Sequence, residues 1–370
     1  MVANRLAVFY SITGAKEYHA SMELVVDKFV SAKEQLQLLE NAVKELSESL
    51  QEDGLSLVWK RFFVSDAINQ SRFLNKTDAE AMSIVQQPPL SGFKATVLVY
   101  FVEDAQMATL TDNTVVMKRP GYEHFFHAQM HERAGDVSHQ TQQIFNRYCD
   151  SLSQNGCSLE KNCIRTWIYV QNVDVQYAGM VVARRELFER EGLTPKTHFI
   201  ASTGIEGRHI HPESLVVMDA YAVSNLKPGQ VRFLKAPAHL NPTHEYGVTF
   251  ERGTVVEYGD RRHVFISGTA SINNKGEVVH PLDIEKQTVH TFNNVKALLA
   301  EADAGMDDVV HMIVYLRDIA DYHTVNRYIE QHYITIPHVV VLAPVCRPGW
   351  LVEVECMAIV HAENKQYMNF

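Results

Sequence analysis

The chain lacks most of the features that mark whole classes of protein. Of its 370 residues only five are cysteine, and Cys149, Cys157, Cys163, Cys346 and Cys356 stand at no metal-binding spacing. The count is odd, and the opening MVANRLAVFYSITG shows no charged n-region followed by an apolar h-region, so a reduced, cytoplasmic protein is expected. No apolar run approaches the roughly 20 residues that span a bilayer, so no membrane partner is expected. Basic clusters are confined to Arg184-Arg185 and Arg261-Arg262 in a chain of net charge −10. That argues against a nucleic-acid groove and against a ribonuclease, but not against a local basic pocket for a small carboxylate. No low-complexity segment appears.

What the chain does contain is an internal repeat. In 287–318, Phe292, Val295, Leu298 and Leu299 recur at helical spacing, and Val309 to Leu316 is a nearly continuous apolar, β-branched run. Segment 35–66 aligns with it without a gap: Gln35, Val43, Lys44, Leu46 and Val58 match Gln287, Val295, Lys296, Leu298 and Val310. In 140–172, Gln140-Thr141, Phe145-Asn146 and Leu152 match Gln287-Thr288, Phe292-Asn293 and Leu299, and Tyr169 matches Tyr315 after a one-residue shift. The repeat predicts three β-β-α-β-α-β-type modules at roughly 1–105, 106–228 and 229–370, each of ordinary domain size. The expected fold class is α+β, with helices packed on one face of each sheet. A second helix is expected in the third module at 320–333.

Two stretches of the third module carry candidate chemistry. VVVLAPVCRPGWLVEVECMAIV reads as a hairpin around the Pro-Gly of RPGW, with Cys346, Glu353 and Glu355 on one face. Glu353 and Glu355 interrupt an otherwise apolar strand. They mark either a wet edge strand or a carboxyl in a pocket, where burial raises its pKa and suits it to general acid work. Aligning MDAYA with VECMA sets Asp219 against Glu355 and Val217 against Glu353, and the first module offers only apolar residues with Thr96 or Tyr100. A carboxylate at 353 is therefore peculiar to the third copy. Ser267-Gly268-Thr269 ends a strand, either as a simple bend or as a pocket wall whose amides and hydroxyls meet an anionic oxygen. In IEGRHIHPES, Arg208, His209 and His211 are either a solvated loop or a carboxylate contact across a module boundary. The His-x-His there has no third ligand at motif spacing, so no metal is expected. Cys346 becomes a nucleophile only with a depressed pKa, and a pocket-lining thiol is the plainer reading.

VFISGTAS, VVHMIVYLRDIADYHTVNRYIEQHY and LVEVECMAIV resemble the Rid family (YjgF, reactive intermediate deaminase). The resemblance covers most of 250–361. It implies a chorismate-mutase-like α+β module that trimerises with ligand sites between subunits. It places family site positions on Ser267-Gly268, Asn326 and Glu353. The family's carboxylate-binding arginine position is His338, after Pro337, which weighs against imine or enamine deamination.

TFERG, FISGTASI, HPLD, Gln287 and CRPGWLVEVE are similar to the chorismatases, Rid-related enzymes that cleave the enolpyruvyl ether of chorismate to pyruvate plus a hydroxybenzoate or dihydroxycyclohexadienoate. That similarity implies Glu353 as catalytic acid and Cys346 as a site-lining residue, with no cofactor. The expected site is then Glu353 with Ser267, Gly268, Thr269, Asn326, His338, Cys346, Arg347 and Arg208 around a small carboxylate substrate. NNKG at 273–276 departs from the chorismatase pattern. The alternatives are a Rid-type enamine deaminase and a non-catalytic carboxylate-binding protein of the same fold. Three linked modules imply a monomer built as an internal pseudotrimer, or a low-order homo-oligomer.

Overall fold

The computed structural model describes residues 1–25, 30–77, 79–112 and 114–370. Three sheets follow one another along the chain. The first holds β1 (Val2–Phe9), β2 (Glu17–Leu24), β3 (Leu55–Val64), β4 (Ala81–Gln86) and β5 (Ala95–Glu103), in the order β1-β2-β5-β3-β4. The second holds β6 (Gln106–Thr111), β7 (Thr114–Arg119), β8 (Tyr122–His131), β9 (Cys163–Val170), β10 (Ala201–Glu206) and β11 (Val216–Val223), in the order β10-β9-β11-β8-β7-β6. The third holds β12 (Val231–Leu234), β13 (Gly253–Glu257), β14 (Arg261–Ala270), β15 (Val309–Leu316), β16 (His338–Leu342) and β17 (Val352–His361), in the order β12-β13-β14-β17-β15-β16. The helices are α1 (Ala32–Glu52), a single turn α2 (Ala67–Gln70), α3 (Val137–Gln154), a single turn α4 (Leu159–Asn162), α5 (Val173–Arg190), α6 (Ile284–Glu301) and α7 (Tyr322–His332). No helix of the described residues is long and apolar enough to cross a membrane.

The sequence repeat has a structural cause. Ser31, Asp136 and Asp283 cap α1, α3 and α6 through their side chains. A buried glutamine in the first turn then clamps the last strand of its own module. Gln35 Oε1 accepts from the Lys94 amide at 2.7 Å, Gln140 Oε1 from Leu215 at 2.7 Å and Gln287 Oε1 from Leu351 at 3.0 Å. Each donor stands one residue before β5, β11 or β17. An amide-bearing side chain is needed because the clamped backbone groups are shielded from water and must be satisfied internally.

The strands repeat as closely. Trp59 opposes Tyr100, Arg165 opposes Tyr221 and His311 opposes Met357, and next to each pair one residue bulges out: Val58, Ile164 or Val310. Counting from these pairs, Thr96, Val217 and Glu353 occupy one equivalent position, and Leu98, Asp219 and Glu355 the next.

Alternation of side chains then decides what faces what. In β17, Val352, Val354, Cys356 and Ala358 pack with Phe292, Val295, Leu298 and Leu299 of α6. The opposite face joins a cluster drawn from all three sheets: Val58, Tyr100 and Val102, then Ile164, Tyr221 and Val223, then Val310, Met357 and Ile359. The three sheets thus turn their helix-free faces on one another. Glu353 and Glu355 point into that seam, so they do not lie on a wet edge.

The hairpin expected around RPGW does not form. The Trp350 amide does close the turn on the Arg347 carbonyl at 3.0 Å, but β16 pairs in parallel with β15, and β15 lies between β16 and β17. Both flanking runs are fully buried strands, and such runs pair equally well with any partner, so adjacency in sequence misleads.

Candidate functional site between the second and third modules

Glu353 lies at the seam between β14/β17 and the second module's β10 and α5. The carboxyl is 3% exposed. Burial first, and the neighbouring Glu355 charge second, push its pKa up to about 8, against the pull of Arg165 and Arg252. It therefore holds its proton at neutral pH. Glu355, two residues on, has a different environment. It receives Arg165 Nη2 at 2.8 Å, Trp167 Nε1 at 2.7 Å and the Thr203 hydroxyl, all from the second module. Glu355 is thus paired on every side and acts as a structural tie between modules. Among the described residues Glu353 has no such set of donors. The equivalent Asp219 ties the other seam, accepting the Gln129 amide at 2.8 Å and pairing with Arg61 at 3.1 Å.

Gly268 is what lets the Glu353 carboxyl sit there. A bulge at Ser267-Gly268 faces Glu355, and a Cβ on Gly268 would come within 2.0 Å of Glu353 Oε1. Only glycine leaves that space. The Gly268 amide itself donates to Thr203 Oγ1 at 2.9 Å. Its neighbours do other work. Ser267 accepts from the Ser202 amide at 3.0 Å and donates to the Glu251 carbonyl at 2.6 Å, and the Thr269 hydroxyl bonds back to the Ser267 carbonyl at 2.9 Å. Ser267 and Thr269 are spent on backbone, so of the expected Ser-Gly-Thr wall only Gly268 lines the cavity.

Cys346 and Arg347 do line it, with Trp350, whose ring lies 5.4 Å from the Arg347 guanidinium. Burial, then the Glu353 charge, raises the Cys346 thiol to about 12, and Tyr177 hydrogen-bonds it. A thiol in that state is not a nucleophile at neutral pH. The loop bearing these residues is pinned by Gln287, whose Nε2 donates to the Gly349 carbonyl at 3.0 Å.

Three expected residues are elsewhere. His338 and Asn326 line a separate pocket between the third and first modules, with Arg5, Glu23, Tyr322, Glu330 and Thr96. There the His338 Nδ1 contacts the Ile336 carbonyl at 2.7 Å, and burial lowers its pKa to about 4, so it is neutral at pH 7 and cannot replace an arginine's charge. Arg208 sits at the join of the first and second modules, half-exposed, its Nε 3.7 Å from Glu206 and its carbonyl bonded to the Gln86 amide at 3.0 Å.

Besides the expected Arg347, two basic groups not among the expected site residues are present. Arg184 of α5 is 1% exposed and reaches Thr249 Oγ1 at 3.3 Å and Ser202 Oγ at 3.5 Å. Arg252 is 3% exposed and donates to the Asn241 carbonyl at 3.0 Å. With Arg347 they bring three guanidiniums to the cavity that holds Glu353. Arg252 stands inside the TFERG motif and could have been nominated from it; Arg184 sits in a helix whose sequence shows no apolar face to flag its burial.

The site is thus a proton-holding carboxyl in an apolar wall, faced by guanidiniums from two modules. That can donate a proton to a carbon or oxygen of a bound anion and stabilise its carboxylates.

Comparisons with known proteins fit this architecture. The family model described as Endoribonuclease L-PSP matches residues 254–360. A RutC family protein of Saccharolobus solfataricus is 32% identical over 113 residues, 30% of this chain and 81% of the relative. The 3-aminoacrylate deaminase RutC of Acinetobacter baylyi is 31% identical over 70 residues, 19% of this chain and 56% of that enzyme. A crystal structure of a chorismatase superposes over 82% of this chain and 92% of its own with TM-score 0.66 at 20% identity, a likeness of fold across all three modules.

Proposed function

This chain belongs to the RutC (Rid, YjgF) family, and we propose that within it the protein is a chorismatase-like enzyme that cleaves an enolpyruvyl ether, with Glu353 as the acid. The observation that carries the reading is the pairing of Glu353, held protonated by burial to about pH 8, with buried Arg184 and Arg252 across one seam. A dicarboxylate ether needs both: cations for its carboxylates and a neutral acid for its carbon.

In the proposed reaction Glu353 gives its proton to the enolpyruvyl CH₂ terminus, which becomes CH₃. The positive charge falls on the ether carbon as an oxocarbenium ion. The Glu353 carboxylate left behind is opposite in charge to that ion and stabilises it. Water adds to the ether carbon and loses a proton to Glu353. The hemiketal then collapses, breaking the C–O bond to release pyruvate and the ring alcohol. If one ring hydroxyl then leaves as water with a ring C–H proton, the ring aromatises to a hydroxybenzoate; if both hydroxyls stay, the product is a dihydroxycyclohexadienoate. No step draws on a thiolate, in keeping with the Cys346 pKa. The free space beside Glu353 is about 20 Å³, room for one water. A ring-sized substrate therefore needs the cavity to widen around Glu353.

One chain supplies both walls of this site, as a monomer built as an internal pseudotrimer requires. The deaminase reading is weaker, because a neutral His338 stands where that activity needs a cation, and at a different seam from Glu353. The test is incubation with chorismate and enzymatic detection of pyruvate. Turnover by wild type, lost in Glu353→Gln, supports the proposal. No pyruvate from wild type, or equal release by the variant, rejects it.

A further inference from the structure

The remaining seam, between the first and second modules, holds neither Glu353 nor its chemistry. Val217 stands there in the position equivalent to Glu353, and its partner across the strands is His131. The tip of the 205–214 loop brings His209 and His211 to the same place. Each of the three rings offers a nitrogen within 4.8 Å of those of the other two, and among the described residues this is the one such cluster of three. The sequence shows the His-x-His pair, but His131 stands 78 residues before His209, at no motif spacing.

We propose that His131, His209 and His211 form a three-histidine site for a divalent transition-metal ion of the zinc type, with a coordination position open to the cavity between the first and second modules.

The His131 ring is prepared for it. The Gln129 carbonyl lies 2.8 Å from His131 Nδ1, which makes that nitrogen the N–H and leaves the Nε2 lone pair for a metal. Gln129 takes a left-handed φ of 58° in the β8 bulge, held by the Asp219 carboxylate on its amide at 2.8 Å. A strained backbone thus aims that carbonyl. The three rings are already in contact: His131 and His209 stack with centroids 4.0 Å apart, and His211 is tilted against them at 4.9 Å from His209 and 5.3 Å from His131. In a tetrahedral site with bonds of about 2.0–2.1 Å, ligand nitrogens are roughly 3.4 Å apart, so the cluster closes by small rotations about χ1 and χ2. Imidazole donors favour zinc, copper, nickel or iron over calcium or magnesium. The adjoining cavity, about 350 Å³, leaves room for water or an anion on the fourth position.

Two groups oppose the ion. The His211 amide donates to His209 Nδ1 at 3.2 Å, so that ring must coordinate through Nε2 or give the contact up. The exposed Arg133 guanidinium donates to His211 Nε2 and must swing into solvent when a metal arrives. This gives the proposal a directional test. After chelator treatment, the full chain is titrated with Zn²⁺ in competition with a chromophoric chelator, and with Co²⁺ for the intense visible bands of tetrahedral coordination. Wild type is expected to bind one equivalent. Half-buried His211→Ala, chosen because it threatens folding least, and His131→Ala should each bind about 100-fold or more weakly, since losing a direct ligand exceeds the roughly 10–100-fold effect of losing an outer partner. Arg133→Ala should bind several-fold more tightly. Unchanged affinity in His211→Ala, or weaker binding in Arg133→Ala, places the ion elsewhere and overturns the proposal, as does a wild type that binds no Zn²⁺.

Discussion

The seam that holds Glu353 and the seam that holds His338 are built alike and furnished differently. At the first, Ser267 accepts the Ser202 amide from the neighbouring module at 3.0 Å; at the second, Ser21 accepts the His338 amide at 3.2 Å. Ser202 and His338 occupy equivalent places, since each pairs with the residue after an axial anchor, Thr166 after Arg165 and Met312 after His311. The serines are stitches common to both seams. Beside them, one last strand presents Glu353 and the other Thr96. What repeats holds modules together; what does not repeat is where chemistry can reside. By that rule the strand-end serine, which the family resemblance made a site residue, belongs to the architecture.

Five variants, at Glu353, Gly268, Glu355, Ser267 and His338, would break or sharpen this contrast. Glu353→Gln should lower kcat for pyruvate release by about 10²–10⁴-fold, the usual worth of a general acid, and also remove a pH-dependent loss of stability. The folded pKa of about 8 lies above the ordinary 4.5, so wild type should lose stability relative to the glutamine variant as pH rises from 4.5 to 8. Equal melting profiles across that range would mean the carboxyl is solvated.

Gly268→Ala should come next, at about 100-fold or more in kcat, because even a 1 Å misplacement of a reacting group can have that effect and its Cβ would overlap Glu353 Oε1. An alanine variant with wild-type turnover would show that the carboxyl works from another position. The pH profile of wild type should fall about tenfold per unit above pH 8, as the acid form is lost. Glu355→Gln should move that limb to lower pH, because the like charge that helps raise Glu353 is gone; a limb that stays put would assign it to another group.

Ser267→Ala should reduce stability by about 1–3 kcal/mol in denaturant unfolding, the price of an orphaned buried amide, with kcat changed only a few-fold. A large kcat loss at unchanged stability would return the serine to the site. The smallest effect is expected from His338→Ala, within about twofold in pyruvate release; a collapse of activity there would show that the two seams are coupled.

Much of this was legible in the sequence because it is local. The helical period of Phe292, Val295, Leu298 and Leu299 and the strand run of Val309 to Leu316 state which elements form. Gln35, Gln140 and Gln287 recur because each must reach a strand-start amide of its own module. The singularity of Glu353 follows from comparing three copies of one strand. Arg208, Asn326 and His338 were drawn towards Glu353 because a family pocket is assembled from several subunits, and sequence order does not say which seam each residue faces. The hairpin was misplaced because β15, some forty residues earlier, inserts between β16 and β17.

The sequence by itself determined the three copies, most of their helices and strands, and the one strand that carries a carboxylate peculiar to its copy. Tertiary structure alone decided that Arg184 and Thr203 of the second module complete the Glu353 pocket, that Glu355 is a tie and that His131 meets His209 and His211. The reason is physical. Periodicity and capping are written within a few residues of where they act, whereas a pKa, a guanidinium's target or a metal's third ligand depends on groups brought together by packing from a hundred residues away.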